Sequence, residues 1–298
     1  MVAYRPGAGS RQRTMWLDRT GKAMEQLAFM NAPELSSDGR YLAGDRTIDG
    51  NRDVWILDLV RAGSTRFTIH PAVDGFPVWS PDGSRLAFHS QRRGNFDVWV
   101  RPASRGVGTE ELLLGSADHE WPLDWSRDGQ FLLYHRTDQN YASSDLWALP
   151  MTVGAREPIA VANTPFEERL GQFSPDGRWV AYETDESGRR EIVVQSFPKP
   201  SALVHVSTNG GMAPRWSPDG TEIYYIALDG KLMAVPVALK DGTLIPGHPL
   251  ALFFAKMPNS VFKANYSVGR DGRFLINAVS DESFPSPITV VVNSKPPS

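Results

Sequence analysis

Short apolar runs separated by polar, glycine-bearing turns fill the chain from one end to the other. FLLY at 131–134, VWIL at 54–57 and IVV at 192–194 are nearly continuous. A strand wetted on one face alternates apolar and polar residues, so unbroken runs of this length mark strands buried on both faces. No stretch carries the 3.6-residue period of an amphipathic helix, which excludes α/β architectures.

The runs recur in a fixed order. A turn signal appears as Ser37-Asp38-Gly39, Pro81-Asp82-Gly83, Arg127-Asp128-Gly129, Pro175-Asp176-Gly177, Pro218-Asp219-Gly220 and Arg270-Asp271-Gly272, its aspartates 44, 46, 48, 43 and 52 residues apart. A second signal, Asp53-Val54-Trp55, Asp97-Val98-Trp99 and Asp145-Leu146-Trp147, follows the first three, with degenerate copies at Glu191-Ile192-Val193 and Lys231-Leu232-Met233. Each unit reads as four strands. In the second full repeat strand a is 77–80, b is 85–89, c is 97–101 and d lies near 111–114. Proline presets φ for the first turn position, aspartate accepts backbone N–H groups, and glycine supplies the left-handed residue that returns the chain to a strand.

Four-stranded units of this length, buried on both faces, indicate an all-β fold, a β-propeller of antiparallel blades closed by N- and C-terminal strands. VAYR (2–5), TMWLDR (14–19) and EQLAF (25–29) read as strands b, c and d of a blade without its strand a. NYSV (265–268), RFLINAV (273–279) and ITVVV (288–292) read as a, b and c of one without its d. Counted separately these give seven blades, with six as the alternative: one domain over 1–298, with a partial first blade at 1–30, five full blades at 31–260 and a last blade at 261–298. The chain starts inside a strand, as a fragment of a longer protein would.

The net charge of −3 gives no reason to expect a nucleic-acid partner. With no cysteine, disulfides, thiolate metal sites and a cysteine nucleophile are excluded. No run approaches a membrane span, and residues 1–21 show no signal-peptide h-region.

At these turns the sequence resembles the TolB-type propeller repeats. TMWLDRTGK, FPVWSPDGSRLAFHS, FSPDGRWVAYETDESGR, VSTNGGMAPRWSPDGTEIYYIALDGKLMAVPV and SPITVVVN resemble more closely the propeller that ends many bacterial receptor-type serine/threonine protein kinases and related sensor proteins. The resemblance implies a sensory or protein-binding module, without the kinase itself, lying in the periplasm or otherwise outside the cytoplasmic membrane.

Catalytic signatures fail on inspection. Arg105-Gly106-Val107-Gly108 lacks the third glycine of a phosphate loop, and no Gly-x-Ser-x-Gly elbow is present. His119-Glu120 opens like a zinc-protease helix, but position 123 is Leu and Pro122 opposes the helix. Asp49-x-Asn51-x-Asp53 opens like a calcium loop, but Val54 stands at the glycine position.

A set of polar residues remains. His89 and His135 occupy equivalent ends of strand b, and Asp45 and Glu183 align with them. The d–a loops add His70, Asp74, His119, Glu120, Glu167, Glu168 and Arg169. All should emerge on one face, around one mouth of the central channel. The plain expectation is a solvated polar rim. The functional alternatives are a surface for a protein, peptide or small ligand, or an acid–base or metal site built from the histidines and carboxylates. Trp55, Trp99, Trp147, Trp79, Trp125 and Trp216 recur at fixed repeat positions and read as blade packing. Trp121 reads as an exposed aromatic anchor. The combined expectation is a monomeric, non-enzymatic binding propeller without cofactor. The alternatives are a propeller hydrolase or lyase, or a stand-alone TolB-like envelope protein.

Overall fold

The computed structural model describes residues 12–104, 108–152, 157–258 and 262–279. VAYR, ITVVV and the 105–107 part of the glycine-containing loop lie outside them, as do the outer parts of the 1–30 and 261–298 segments. Six four-stranded antiparallel units form the described chain. We number the blades by their strands. Blade 1 is β3 (Asn31–Leu35), β4 (Tyr41–Ile48), β5 (Asn51–Asp58) and β6 (Gly63–Arg66). Blade 2 is β7 (Asp74–Trp79) to β10 (Glu111–Leu114), blade 3 β11 (His119–Trp125) to β14 (Ile159–Ala162), blade 4 β15 (Glu168–Phe173) to β18 (Leu203–His205). Blade 5 starts at β19 (Met212–Trp216) and ends at β23 (Leu250–Phe254), with the extra strand β22 (Thr243–Pro246) paired to the long β21 (Lys231–Lys240).

Blade 6 is composite. Its strands a and b are β24 (Tyr266–Val268) and β25 (Phe274–Val279), while c and d are β1 (Gln12–Leu17) and β2 (Ala23–Leu27). The register runs from Gln12 opposite Val279 to Leu17 opposite Phe274. TMWLDR and EQLAF thus take the c and d places expected of them, and NYSV and RFLINAV the a and b places. The two partial ends are halves of a single blade, so the count is six. Neighbouring a strands touch in the order of blades 1 to 6 and back to 1, which puts strand a of every blade innermost.

The turn repeats as a hydrogen-bonded unit. In blade 2, Ser80 Oγ donates to Asp82 Oδ1 at 2.6 Å and accepts the Arg85 N–H at 2.9 Å, while the same carboxylate oxygen accepts the Ser84 N–H at 3.0 Å. Gly83 sits at φ +69°, where a β-carbon would be strained. The serine before each turn is therefore as much a part of the device as the aspartate and glycine. In blade 6 its place is taken by Gly269, and the Gly272 N–H still closes the turn on the Gly269 carbonyl.

Burial follows the two-sided expectation. Every residue of β16 (Trp179–Thr184) is buried. Trp79, Trp125 and Trp216 are buried between blades, whereas Trp55, Trp99 and Trp147 each lie under an arginine, Arg46, Arg92 and Arg136, at 5.4, 4.4 and 4.9 Å. No helix among the described residues is long and apolar enough to cross a membrane.

Candidate functional site

The strand-b ends form one ring of equivalent positions: Asp45, His89, His135, Glu183, Ile226 and Asn277. Two of them, Asp45 and Glu183, reach the irregular start of strand a in the next blade. Phe76 and Ala213 there have φ near +50°, and their N–H groups are accepted by Asp45 Oδ1 at 3.3 Å and Glu183 Oε2 at 3.0 Å. These carboxylates therefore lock blade to blade.

The polar set is on the expected face but is mostly buried, which overturns the solvated rim. Asp74 is buried against Arg92, Glu120 is held by Ser116, and Glu168 by Thr164. Glu167 pairs with Arg169 at 2.5 Å, and its backbone N–H donates to Asp185 Oδ1 at 2.9 Å. His70 stays in the loop, its Nδ1 accepting the Ala72 N–H at 3.0 Å. His119 accepts the Phe96 N–H at 3.1 Å and stacks on Tyr141 at 4.9 Å. Trp121 is the clearest reversal. Its charged and proline neighbours suggested an exposed loop, yet it sits in β11, only 3% exposed.

Trp121, His89, His119 and His135 come together with Phe76, Phe96 and Phe262 in one aromatic cluster. Phe262 belongs to blade 6 and Trp121 to blade 3, opposite each other, so their contact at 4.6 Å spans the central axis. Among the described residues, neither ring nitrogen of His89 or His135 has a hydrogen-bond partner. Burial holds His135 down at about 3 and His89 well below its ordinary value, with Arg52 and His135 opposing a charge on His89, Arg169 on His135, and Lys263 on both. Burial pushes Glu120 and Glu168 the other way, up to about 7.

The signs give a test. Between pH 6.5 and about 3 the unfolded chain protonates His135 and the folded one does not, and His89 is shifted the same way by burial, so both cost stability as pH falls. Between about 7 and 4.5 the folded chain protonates Glu120 and Glu168 first, so these gain stability as pH falls. Replacing His89 and His135 with glutamine should leave the carboxyl effect exposed. Relative to wild type, the variant should gain about 1.4 kcal/mol per pH unit per histidine below pH 6, read from urea unfolding between pH 7 and 5. Parallel pH curves for the two proteins would refute the burial assignment.

The opposite end of the axis is open. A funnel of about 820 Å³ lies on the face of the Ser-x-Asp-Gly turns. Strand a reaches it through the residue two places before each turn serine: Glu34, Val78, Asp124, Gln172, Arg215 and, in the glycine-substituted copy, Ser267. All but Val78 line the funnel. Its inner end meets Lys263, which is 1% exposed, donates to the Leu123 carbonyl at 2.9 Å and pairs with Glu34 at 3.3 Å. Lys263 and Phe262, adjacent in sequence, thus cross the axis together and separate the funnel from the aromatic cluster. The sequence reading missed this site. The alternation of apolar residues with Glu, Asp, Gln and Arg at one fixed repeat position was the available signal.

A larger groove, about 1050 Å³, runs outside between blades 1 and 2. It draws on two blades, whereas the funnel is reached by all six. Among the described residues no group of three His, Asp or Glu side chains is disposed to hold a metal ion.

With the composite ring and its turn on view, comparison is decisive. The signature of the TolB beta propeller domain matches residues 18–197. This chain belongs to that family. It is 24% identical over 148 residues to the Tol-Pal system protein TolB of Helicobacter pylori, a match covering 50% of this chain and 35% of that protein. The matched stretch thus spans about a third of the length of that curated relative. Among solved structures, one assigned as TolB of Agrobacterium tumefaciens superposes with a TM-score of 0.65 at 18% identity, covering 92% of this chain and 100% of that one. An oligogalacturonate lyase in complex with manganese superposes at 0.58 and 16% identity, covering 93% and 81%. At such identities these structures share the fold only. The likeness to propellers of receptor kinases stays a resemblance of sequence.

Proposed function

We propose that the chain is a non-enzymatic binding module whose partner, a segment of another protein, enters the funnel on the Ser-x-Asp-Gly turn face. The observation that carries this is the convergence of one repeat position from five of the six innermost strands on a single open cavity. Those strands are held by paired neighbours, and the turns around the mouth are fixed by serine and aspartate. Recognition there costs little ordering. The opposite face, where the sequence placed the rim, has most of its polar groups buried, Asp45 and Glu183 bonded to the next blade, and its axis filled by aromatic rings. Membership of the TolB propeller family supports protein binding and an extracytoplasmic setting. The resemblance to kinase-terminal propellers supports a recognition role within a larger bacterial signalling protein.

Placing a photo-crosslinking benzoylphenylalanine at Arg127, exposed at the funnel, and separately at Tyr141, exposed on the other face, separates the two faces. We expect a discrete protein adduct from cell extracts with the first and none with the second. An adduct from Tyr141 alone would place recognition on the aromatic face and end the funnel reading.

A further inference from the structure

The funnel wall is unevenly charged. Of its basic residues, Arg19 is tied to Glu222, with two hydrogen bonds to that carboxylate, and the wall residue Glu34 is taken up by the buried Lys263. Of its acidic residues, Asp219 is held inside its turn by Ser217 and Thr221. What remains is Arg215, Arg127 and Arg270 against Asp124. Arg215 is the exceptional one. It is 6% exposed, and among the described residues its guanidinium makes one hydrogen bond, from Nη1 to the carbonyl of its own neighbour Pro214 at 3.2 Å, and no ion pair within 4.0 Å. A guanidinium this buried is costly unless its donors are met. Its planar fork suits two parallel bonds to a carboxylate. Beside it Gln172 spends its oxygen on the Trp216 N–H at 2.7 Å, which leaves the amide NH₂ as a further donor toward the cavity.

We infer that the funnel takes an acidic ligand, a peptide segment whose side-chain or terminal carboxylate pairs with Arg215. This rests on the funnel being the binding site and goes further by fixing the chemistry of what enters. Asp124 is the counterweight. Burial, with Glu34 adding to it, pushes its carboxyl up to about 6, while the Phe173 N–H, Arg215 and Lys263 act the other way. A ligand carboxylate arriving at Arg215 competes with the charge on Asp124, so neutralising that residue should help the ligand. Asp124→Asn keeps an oxygen for the Phe173 N–H, which Asp124 Oδ2 now accepts at 2.8 Å.

A displayed library of random peptides, selected on the wild-type domain and counter-selected on Arg215→Gln, tests this. The enriched peptides should be rich in Asp and Glu. Synthesised singly, they should bind Arg215→Gln about 30-fold or more weakly and Asp124→Asn more tightly, with affinity falling as salt rises. Circular dichroism and unfolding of both variants report whether the ring is intact. Citrate titrated into the same complexes separates the sources. Competition at low concentration assigns the pocket to a small free acid, and its failure assigns the peptide segment. Neutral or basic peptides that compete for the funnel and ignore Arg215→Gln overturn the acidic inference but keep the funnel as a site. Peptides that map to the Tyr141 face, or none that depend on the funnel, overturn both.

Discussion

A chain beginning at residue 28 is expected to lose cooperative folding altogether. It lacks β1 and β2, two of the four strands of blade 6, and leaves the β25 edge unpaired. Trp16 goes with them from the cluster it shares with Met30, Leu42, Leu57 and Leu275, and Leu17 goes from the cluster that holds Tyr224 and Phe274. One removed residue thus packs toward blade 1 and the other toward blade 5, so the ring opens on both sides of the gap. Deleting one buried large side chain costs about 3–5 kcal/mol, and a whole domain has only about 5–15 kcal/mol to lose. A graded version of the same loss is available. Trp16→Ala should cost about 3–5 kcal/mol. Thr14→Val should cost about 2 kcal/mol, because Thr14 Oγ1 accepts the buried Met30 N–H at 2.9 Å and donates to Asn277 Oδ1 at 2.7 Å. Urea unfolding followed by near-ultraviolet circular dichroism reads all three. A single cooperative transition in the shortened chain, with a wild-type midpoint, would mean that the ring does not depend on its composite blade.

Lys263→Met should be the most damaging single change at the axis. The ammonium ties blade 6 to the Leu123 carbonyl in blade 3 and to Glu34 in blade 1. Burial already lowers its pKa, so the cation is held by these partners against a real desolvation cost. Removing one member of a buried pair costs about 3–5 kcal/mol, because the other is left with its charge. Glu34 keeps some water contact at 18% side-chain exposure, so the loss should fall near about 3 kcal/mol. Changing both residues to methionine should recover a good part of that loss, since a well-packed apolar pair often equals or exceeds a buried ion pair. A Lys263→Met protein as stable as wild type, or a double variant worse than the sum of its parts, would remove the axial tie from the account.

What the sequence disclosed, and what it concealed, follows from how far apart interacting residues lie. The blades were legible because the turn is local, its aspartate and glycine repeating six times and its serine five. The count was harder, because two partial ends look alike whether they complete each other or stand apart. Pairing Thr14 with Asn277 is a contact across 263 positions that no local pattern announces. The polar rim was legible as a set of equivalent positions, but their burial was not. A histidine or glutamate at a strand end reads the same whether it faces water or locks the next blade. Trp121 misled for the same reason, its strand hidden by Glu120 and Pro122. The funnel ring was written at a fixed place in every repeat. Its depth was not, because it is set by Phe262 and Lys263, which reach the axis from a stretch with no repeat of its own.

The composite blade also sets an orientation. Gln12 and Val279 are a cross-strand pair, and both lie at the ends of strands that finish on the aromatic side, next to the Lys256 carbonyl that receives the Val279 N–H. The described chain therefore enters and leaves the ring at one shared spot on the underside. That spot lies at the base of the cup, on the side away from its opening.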